Sequence, residues 1–316
     1  LIKILELKNC KNIIYLFDNR IVNNHYPISN DNRVEYIKGS IVSRHYFYIK
    51  NKGIMRKVFC FGNLPPTIKL KCNVYTYFHQ YFYISPPKGT SPLLGMNWRL
   101  KSFIMKSIRE NTAKWFVQTN NVKEKLVKKY NLDNSKVECL PFYELMKSKN
   151  SVDKIKNKFV YVSLPYAHKN HNILIDAFSI AYKKQGKGEL HLTIDNSSTS
   201  ILKKIDKCLD NDIPVYNHGI LSKSDIKSLY CSAEYLIFPS LAESFGLPLI
   251  ESINYGCKVL AADKKYVDAV CVPSMKFNAS NTNDIVNCIE KSIINELPES
   301  EIITLDKIDS LIKYLV

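Results

Sequence analysis

Two carboxylates, Glu243 and Glu251, stand around the start of a helix with seven residues between them. Glu243 lies just before that helix and Glu251 about one turn into it. Ionised carboxylates only accept hydrogen bonds, so each can hold a pair of neighbouring hydroxyls. Gly246 and Leu247 flank the helix start and offer no side-chain oxygen. The first helical N–H groups are therefore left for an outside acceptor, and the positive end of the helix dipole suits a phosphate. Two diol-holding carboxylates around an anion pocket match a nucleotide-diphosphate sugar. A glycine-capped helix with two solvated glutamates has the same spacing, and spacing alone favours that plainer arrangement.

Two cationic or titrating groups sit at comparable places. Lys169 lies in Ser163-Leu164-Pro165-Tyr166-Ala167-His168-Lys169-Asn170, between a strand and a helix, where a lysine can reach donor phosphates or simply be solvated. His79 ends the strand Asn73 to Phe78, ahead of Gln80 and a run of tyrosines. A neutral imidazole there can donate or accept a proton, although a histidine beside aromatics is more often structural.

The elements that must position these groups are legible from periodicity. Tyr235 to Phe238 is a short apolar run, as expected of a buried parallel strand, and Pro239 ends it. A loop runs to Gly246, Pro248 suits a first helical turn, Gly256 suits a helix stop, and Lys258 to Ala262 reads as the next strand. The second half alternates throughout: strand Phe159 to Leu164, helix Ile173 to Tyr182, strand Leu190 to Ile194, helix Leu202 to Leu209, strand Val215 to His218, helix Ser224 to Cys231. After Ala262 the reading is an irregular segment, a helix Asn283 to Ile294 and a last helix Ser300 to Leu315. The first half opens on a helix, Leu1 to Asn9. Strands follow at Ile13 to Phe17, Val34 to Ile37, Lys57 to Phe61, Asn73 to Phe78, Trp115 to Gln118 and Val137 to Leu140. Helices are read at Ser40 to Lys52, Trp98 to Arg109 and Asn121 to Tyr130, and a polar linker at Pro141 to Lys154. Strand–helix alternation in both halves argues for an α/β protein of two Rossmann-like domains.

The residues between the two carboxylates add a resemblance. Phe238-Pro239-Ser240, then Glu243-Ser244-Phe245-Gly246-Leu247-Pro248, then Glu251 and Gly256, closely resemble the donor-site signature of the retaining family 4 glycosyltransferases, also called glycosyl transferases group 1. The resemblance implies the GT-B architecture, two Rossmann-like domains facing each other across a cleft. Residues 1–152 would form the acceptor side, 153–297 the nucleotide-sugar side, and 298–316 a helix packing back toward the first domain. It implies that Glu243 meets the sugar hydroxyls, Glu251 the ribose, and the backbone amides of Phe245, Gly246 and Leu247 the diphosphate. Lys169 matches the family's phosphate-binding lysine, and His79 resembles its cleft histidine, near the sugar and the reacting phosphate. One departure is visible: the arginine usual five residues before that lysine is Leu164, so phosphate clamping must lean on Lys169, on amides, or on another residue such as His168.

The activity so implied is transfer of a sugar from a nucleotide-diphosphate donor to a saccharide or lipid-linked acceptor hydroxyl, with retention, in bacterial surface polysaccharide or lipopolysaccharide assembly. No cofactor or metal is expected, and no Asp-x-Asp pair is placed to hold one. The alternative is a nucleotide-sugar-binding or assembly protein of the same fold without turnover. Family members open on a strand and glycine-rich turn, whereas this chain enters on a helix without a methionine. The expectation is a truncated or partial chain whose first domain lacks its first strand.

Composition adds the surroundings. Residues 1–152 hold 26 Lys+Arg against 9 Asp+Glu, a balance of +17; residues 153–316 hold 19 against 20, a balance of −1. A basic half beside a neutral one points to a polyanionic surface as partner of the first half alone. In Trp98 to Arg109, Leu100, Phe103, Ile104 and Ile108 read as an apolar stripe among Arg99, Lys101, Lys106 and Arg109, a helix suited either to the core or to an anionic membrane. Nucleic acid ranks low, since no recognised binding motif accompanies the charge. No run of about 18 apolar residues occurs. The first residues lack the layout of a secretory signal. Nine cysteines without a CxxC pair suit reduced thiols. The expected location is the cytoplasm, peripheral on the inner face of the membrane.

Overall fold

The computed structural model describes residues 1–21, 26–85, 92–144 and 153–316, with the side chains of residues 92–95 also outside it. Most of the expected linker, 145–152, lies outside the described residues. The chain divides into two units. The first comprises Leu1–Ile84, Pro92–Phe142 and Leu305–Val316, and the second is built on Tyr143–Thr304.

The first unit runs α1 (Ile2–Leu7), β1 (Ile14–Asp18), β2 (Arg33–Ile37), α2 (Ile41–Asn51), β3 (Lys57–Cys60), β4 (Asn73–Phe78), α3 (Pro92–Ile108), β5 (Lys114–Val117), α4 (Asn120–Tyr130) and β6 (Val137–Cys139). Strands β1 and β2 pair in parallel, and β3-β4-β5-β6 form a four-stranded parallel sheet. Short polar side chains start α2 and α4: Ser40 accepts from the Ser43 amide and Thr119 from the Val122 amide, filling donors that a helix start leaves open. Helix α3 splits the stripe read from the sequence between core and solvent. Met105 is the fully buried contact, with Trp98 packed beside it, while Leu100 and Phe103 face solvent. The Ser102 hydroxyl meets that of Tyr130 at 2.9 Å, and the Tyr130 phenol itself donates to the Tyr83 carbonyl at 2.7 Å.

The second unit runs β7 (Ile155–Tyr161), α5 (His171–Gln185), β8 (Glu189–Leu192), α6 (Thr199–Leu209), β9 (Val215–Asn217), α7 (Lys223–Ser232), β10 (Ala233–Phe238), α8 (Leu247–Asn254), β11 (Lys258–Ala262), α9 (Lys265–Asp268), β12 (Cys271–Val272), β13 (Met275–Phe277), α10 (Thr282–Ile294) and β14 (Glu301–Ile302). Six strands pair in parallel in the order β13-β11-β10-β7-β8-β9. The chain thus winds outward from β7 to β9, returns to the far side of β7 with β10, and winds outward again. That is the order of a dinucleotide-binding sheet, and its topological switch point lies between β7 and β10. Both strands are covered on both faces, which is why Phe159, Val160, Leu236, Ile237 and Phe238 are fully buried and read as unbroken apolar runs.

Two expectations are corrected here. The stretch after Ala262 is not irregular: it supplies α9 and the edge strand β13, whose Met275–Phe277 pairs with Leu260–Ala262. The last helix does not begin at Ser300. Glu301 and Ile302 pair antiparallel with β12, and only α11 (Ile308–Leu315) is helical. The β-branched run Ile302-Ile303-Thr304 fits a strand better than a helix. Helix α11 packs Leu311 against Tyr77, Phe116 and Leu140 of the first unit. Its Tyr314 hydroxyl donates to Glu138 and accepts from Lys114, both at 2.7 Å.

Candidate functional site

Ligands of doubly wound sheets bind beyond the carboxyl ends of the strands at the switch point, and the loops after β7 and β10 meet there. The Leu241 amide donates to the His168 carbonyl at 2.8 Å, tying one loop to the other. Each is also anchored from behind. The Tyr161 hydroxyl at the end of β7 donates to the Lys169 carbonyl at 2.9 Å, and the Tyr266 hydroxyl to the Ser240 carbonyl at 2.7 Å. Asn170 takes the left-handed conformation (φ 64°) ahead of α5, and its side-chain amide donates to the Ala279 carbonyl at 2.6 Å. Tyr161, Asn170 and Tyr266 were not singled out in the sequence. A signal existed only for the tyrosines, since a phenol in a buried apolar stretch must find a partner.

Lys169 and Glu243, 74 residues apart in the chain, are brought together at this point. The Lys169 ammonium donates to Glu243 Oε1 at 2.5 Å, with the two side chains only 16% and 14% exposed, and it lies 5.8 Å from the Phe238 ring centre. Neighbouring titrations are shifted accordingly. Burial, and then the charge of Lys169, lowers the His168 pKa. Burial against Tyr161, at 4.7 Å between rings, lowers that of His171 to about 4.

Helix α8 begins at the same end of the sheet. Gly246 caps it at φ 91° and ψ 54°, with no side-chain cap and a proline in the first turn. A Cβ at this glycine would stand 3.0 Å from Leu249 Cδ1, so conformation and space both call for glycine. The Phe245 side chain is buried against Tyr143, leaving its backbone as the part that faces outward chemistry. Among the described residues, the amides of Phe245, Gly246 and Leu247 make no internal hydrogen bond. Glu251 lies one turn on, half-buried, and its carboxylate accepts no hydrogen bond among the described residues. Burial raises its pKa, with Lys223 opposing and Glu144 adding to the rise.

Residues 143–296 match the family described as glycosyl transferases group 1. The matched stretch contains the Lys169–Glu243 pair and the start of α8. A 148-residue stretch is 28% identical to the O-antigen chain mannosyltransferase RfbU of Salmonella typhimurium, covering 45% of this chain and 40% of that protein. The chain spans less than half the length of the curated relatives it matches. Among solved structures, WaaG, a glycosyltransferase involved in lipopolysaccharide biosynthesis, superposes with a TM-score of 0.66 at 13% identity, covering 90% of each chain. Anabaena HepE in complex with UDP and glucose superposes with a TM-score of 0.63 at 12% identity, also covering 90% of each. At such identities the likeness shows the fold, which is GT-B.

His79 belongs to the first unit, at the end of β4. Its backbone amide donates to Asn63 Oδ1 at 2.7 Å, its ring stacks on Phe61 at 4.9 Å, and burial lowers its pKa. It is therefore a neutral imidazole at neutral pH. Among the described residues no group of three or more His, Cys, Asp or Glu is arranged to hold a metal. The sequence does contain one Asp-x-Asp, Asp210-Asn211-Asp212, but it is an exposed turn after α6. It precedes β9, at the amino end of the strands and opposite the loops just described. No helix among the described residues is long and apolar enough to cross a membrane. All nine cysteines are free thiols.

Proposed function

We propose that the protein transfers a hexose from a nucleotide-diphosphate sugar to a saccharide or lipid-linked acceptor hydroxyl, with retention at the anomeric carbon and without a bound metal. The observation that carries this reading is the Lys169–Glu243 pair at the switch point, beside the unsatisfied amides of Phe245, Gly246 and Leu247. When the glycosidic bond to phosphate breaks, the leaving diphosphate gains negative charge and the sugar becomes oxocarbenium-like. Fixed donors aimed at the leaving group stabilise that charge without reorganising. Lys169 and the α8 amides take this role, Glu243 orients the sugar through its hydroxyls, and Glu251 holds the ribose.

The relatives' names include an O-antigen mannosyltransferase, which supports a place in bacterial surface polysaccharide assembly and makes a mannosyl donor the first to try. The test is nucleotide release from a panel of UDP-, GDP-, ADP- and CMP-sugars, with binding measured in parallel. Turnover of a nucleoside-diphosphate sugar is expected; binding of none of them overturns the reading. Binding without turnover would favour the second reading, a donor-binding protein, which Leu164 in place of a cation supports.

A further inference from the structure

The first unit leaves two rows of apolar side chains in solvent. On α2 the row is Val42, Tyr46 and Ile49, exposed by 73%, 68% and 44%; on α3 it is Met96, Leu100 and Phe103, exposed by 61%, 57% and 68%. Both have the i, i+4, i+7 spacing that stacks residues along one side of a helix. A helix of a globular unit normally turns such a row inward, yet α3 buries Met105 and α2 buries Phe47 and Tyr48 instead. The helices share a neighbour in Tyr83. Its ring meets Trp98 of α3 edge-on at 5.4 Å, and its hydroxyl, raised by burial, is partly offset by the Arg44 guanidinium of α2.

The charges around the rows have one sign. Neither helix contains an aspartate or glutamate. Arg99, Lys101 and Lys106 are exposed on α3, and Lys50 and Lys52 at the end of α2. Arg109 does not belong to this set, since it turns back to donate to the Lys106 carbonyl at 2.5 Å.

We propose that α2 and α3 form a docking face for a lipid bilayer bearing anionic headgroups. The apolar rows enter the boundary between headgroups and acyl chains while the cations meet the headgroups. Charge complementarity selects this occupant: the +17 balance of residues 1–152 includes two acid-free helices that also show apolar rows. A nucleic acid would use the cations and leave Leu100 and Phe103 without a role. The proposal is independent of how the loops after β7 and β10 are read.

The test is co-sedimentation of the full chain with phosphatidylcholine vesicles, with or without ~30% phosphatidylglycerol. Wild type should bind the anionic vesicles at least about tenfold more tightly than the neutral ones, and salt should release it. Leu100→Ser with Phe103→Ser, and separately Val42→Ser with Tyr46→Ser, should each weaken that binding by roughly tenfold or more. Both pairs should keep the wild-type unfolding temperature, because these side chains are already in water. Equal binding to both vesicle types, or to neither, overturns the proposal. So does wild-type vesicle binding by either apolar variant, because a response to charge alone would assign the face to a soluble polyanion such as nucleic acid.

Discussion

Glu243→Gln offers the sharpest test of the site, because it removes a charge while keeping the side chain's shape. Lys169 is held at 2.5 Å by Glu243 with both groups mostly buried, so in the free protein the cation proposed to meet phosphate already has an ion-pair partner. The gross attraction of two unit charges at that distance is about 7 kcal/mol at an effective dielectric near 20. Desolvation offsets most of it, and losing one partner of such a pair typically destabilises by about 3–5 kcal/mol. An incoming diphosphate meets both groups: it gains Lys169 and is repelled by Glu243. A like charge about 6 Å from a phosphate costs about 2–3 kcal/mol under the same dielectric. Against that, the variant loses the partner that holds Lys169 in place, roughly 1 kcal/mol or more. The balance favours the nucleotide by about 1 kcal/mol, or about fivefold in affinity. Glu243→Gln should therefore unfold at lower temperature when free, bind nucleoside diphosphate about fivefold more tightly by calorimetry, and show a larger nucleotide-induced rise in melting temperature. Transfer should nevertheless fall by roughly tenfold or more, since an amide replaces a charged acceptor for the sugar hydroxyls. A folded variant that binds nucleoside diphosphate no better than wild type would refute the reasoning.

Two further outcomes follow from the same geometry. Glu251→Ala should weaken binding of the free nucleoside diphosphate by about tenfold or more, the worth of hydrogen bonds to a charged acceptor (about 1.5–3 kcal/mol); unchanged affinity in a folded variant rules out its ribose role. His171, with its pKa lowered to about 4 by burial, takes up its proton later than it does in the unfolded chain. Stability is therefore full above the unfolded value near 6.5 and is lost as pH falls toward 4, by about 2 kcal/mol from this residue at pH 5. Denaturant titrations at pH 7.5 and 5 should show that loss in wild type, and His171→Phe should remove its share. An unaltered difference between the two pH values would mean the proton goes elsewhere.

Local pattern carried the individual elements well, because β10, α8 and β11 obey it at every step. Tyr235 to Phe238 has the apolar run, Pro248 the helix start and Gly256 the left-handed stop, at φ 74°. The order of the strands is a different kind of information. Nothing local says that β10 returns beside β7, so the Lys169–Glu243 contact could not be read from residues 74 positions apart. The last strand and helix were misread for a related reason. Ile302 and Ile303 continue an apolar run toward the last helix, and although β-branching already favours the extended form, the pairing of Glu301–Ile302 with β12 is what decides for the strand. Helix α3 shows the same limit: its stripe is visible in the sequence, but which of its residues turn inward depends on the partners packed against Met105 and Trp98.

Helix α11 bears on the order in which the chain can assemble. The second unit draws nearly all of its residues from Tyr143–Thr304 and can close as soon as that stretch has left the ribosome. The first unit cannot, because its beginning and its end must meet. Lys8 pairs with Asp309 at 3.0 Å, and Lys57 donates to the Val316 carbonyl at 2.6 Å. Tyr77 and Phe116 lack the cover that Leu311 and Tyr314 supply until the whole second unit has been made. Closing a span of that length costs only slowly rising entropy, but it delays the contact and keeps an apolar sheet face open to other chains meanwhile. The half made first is the half completed last.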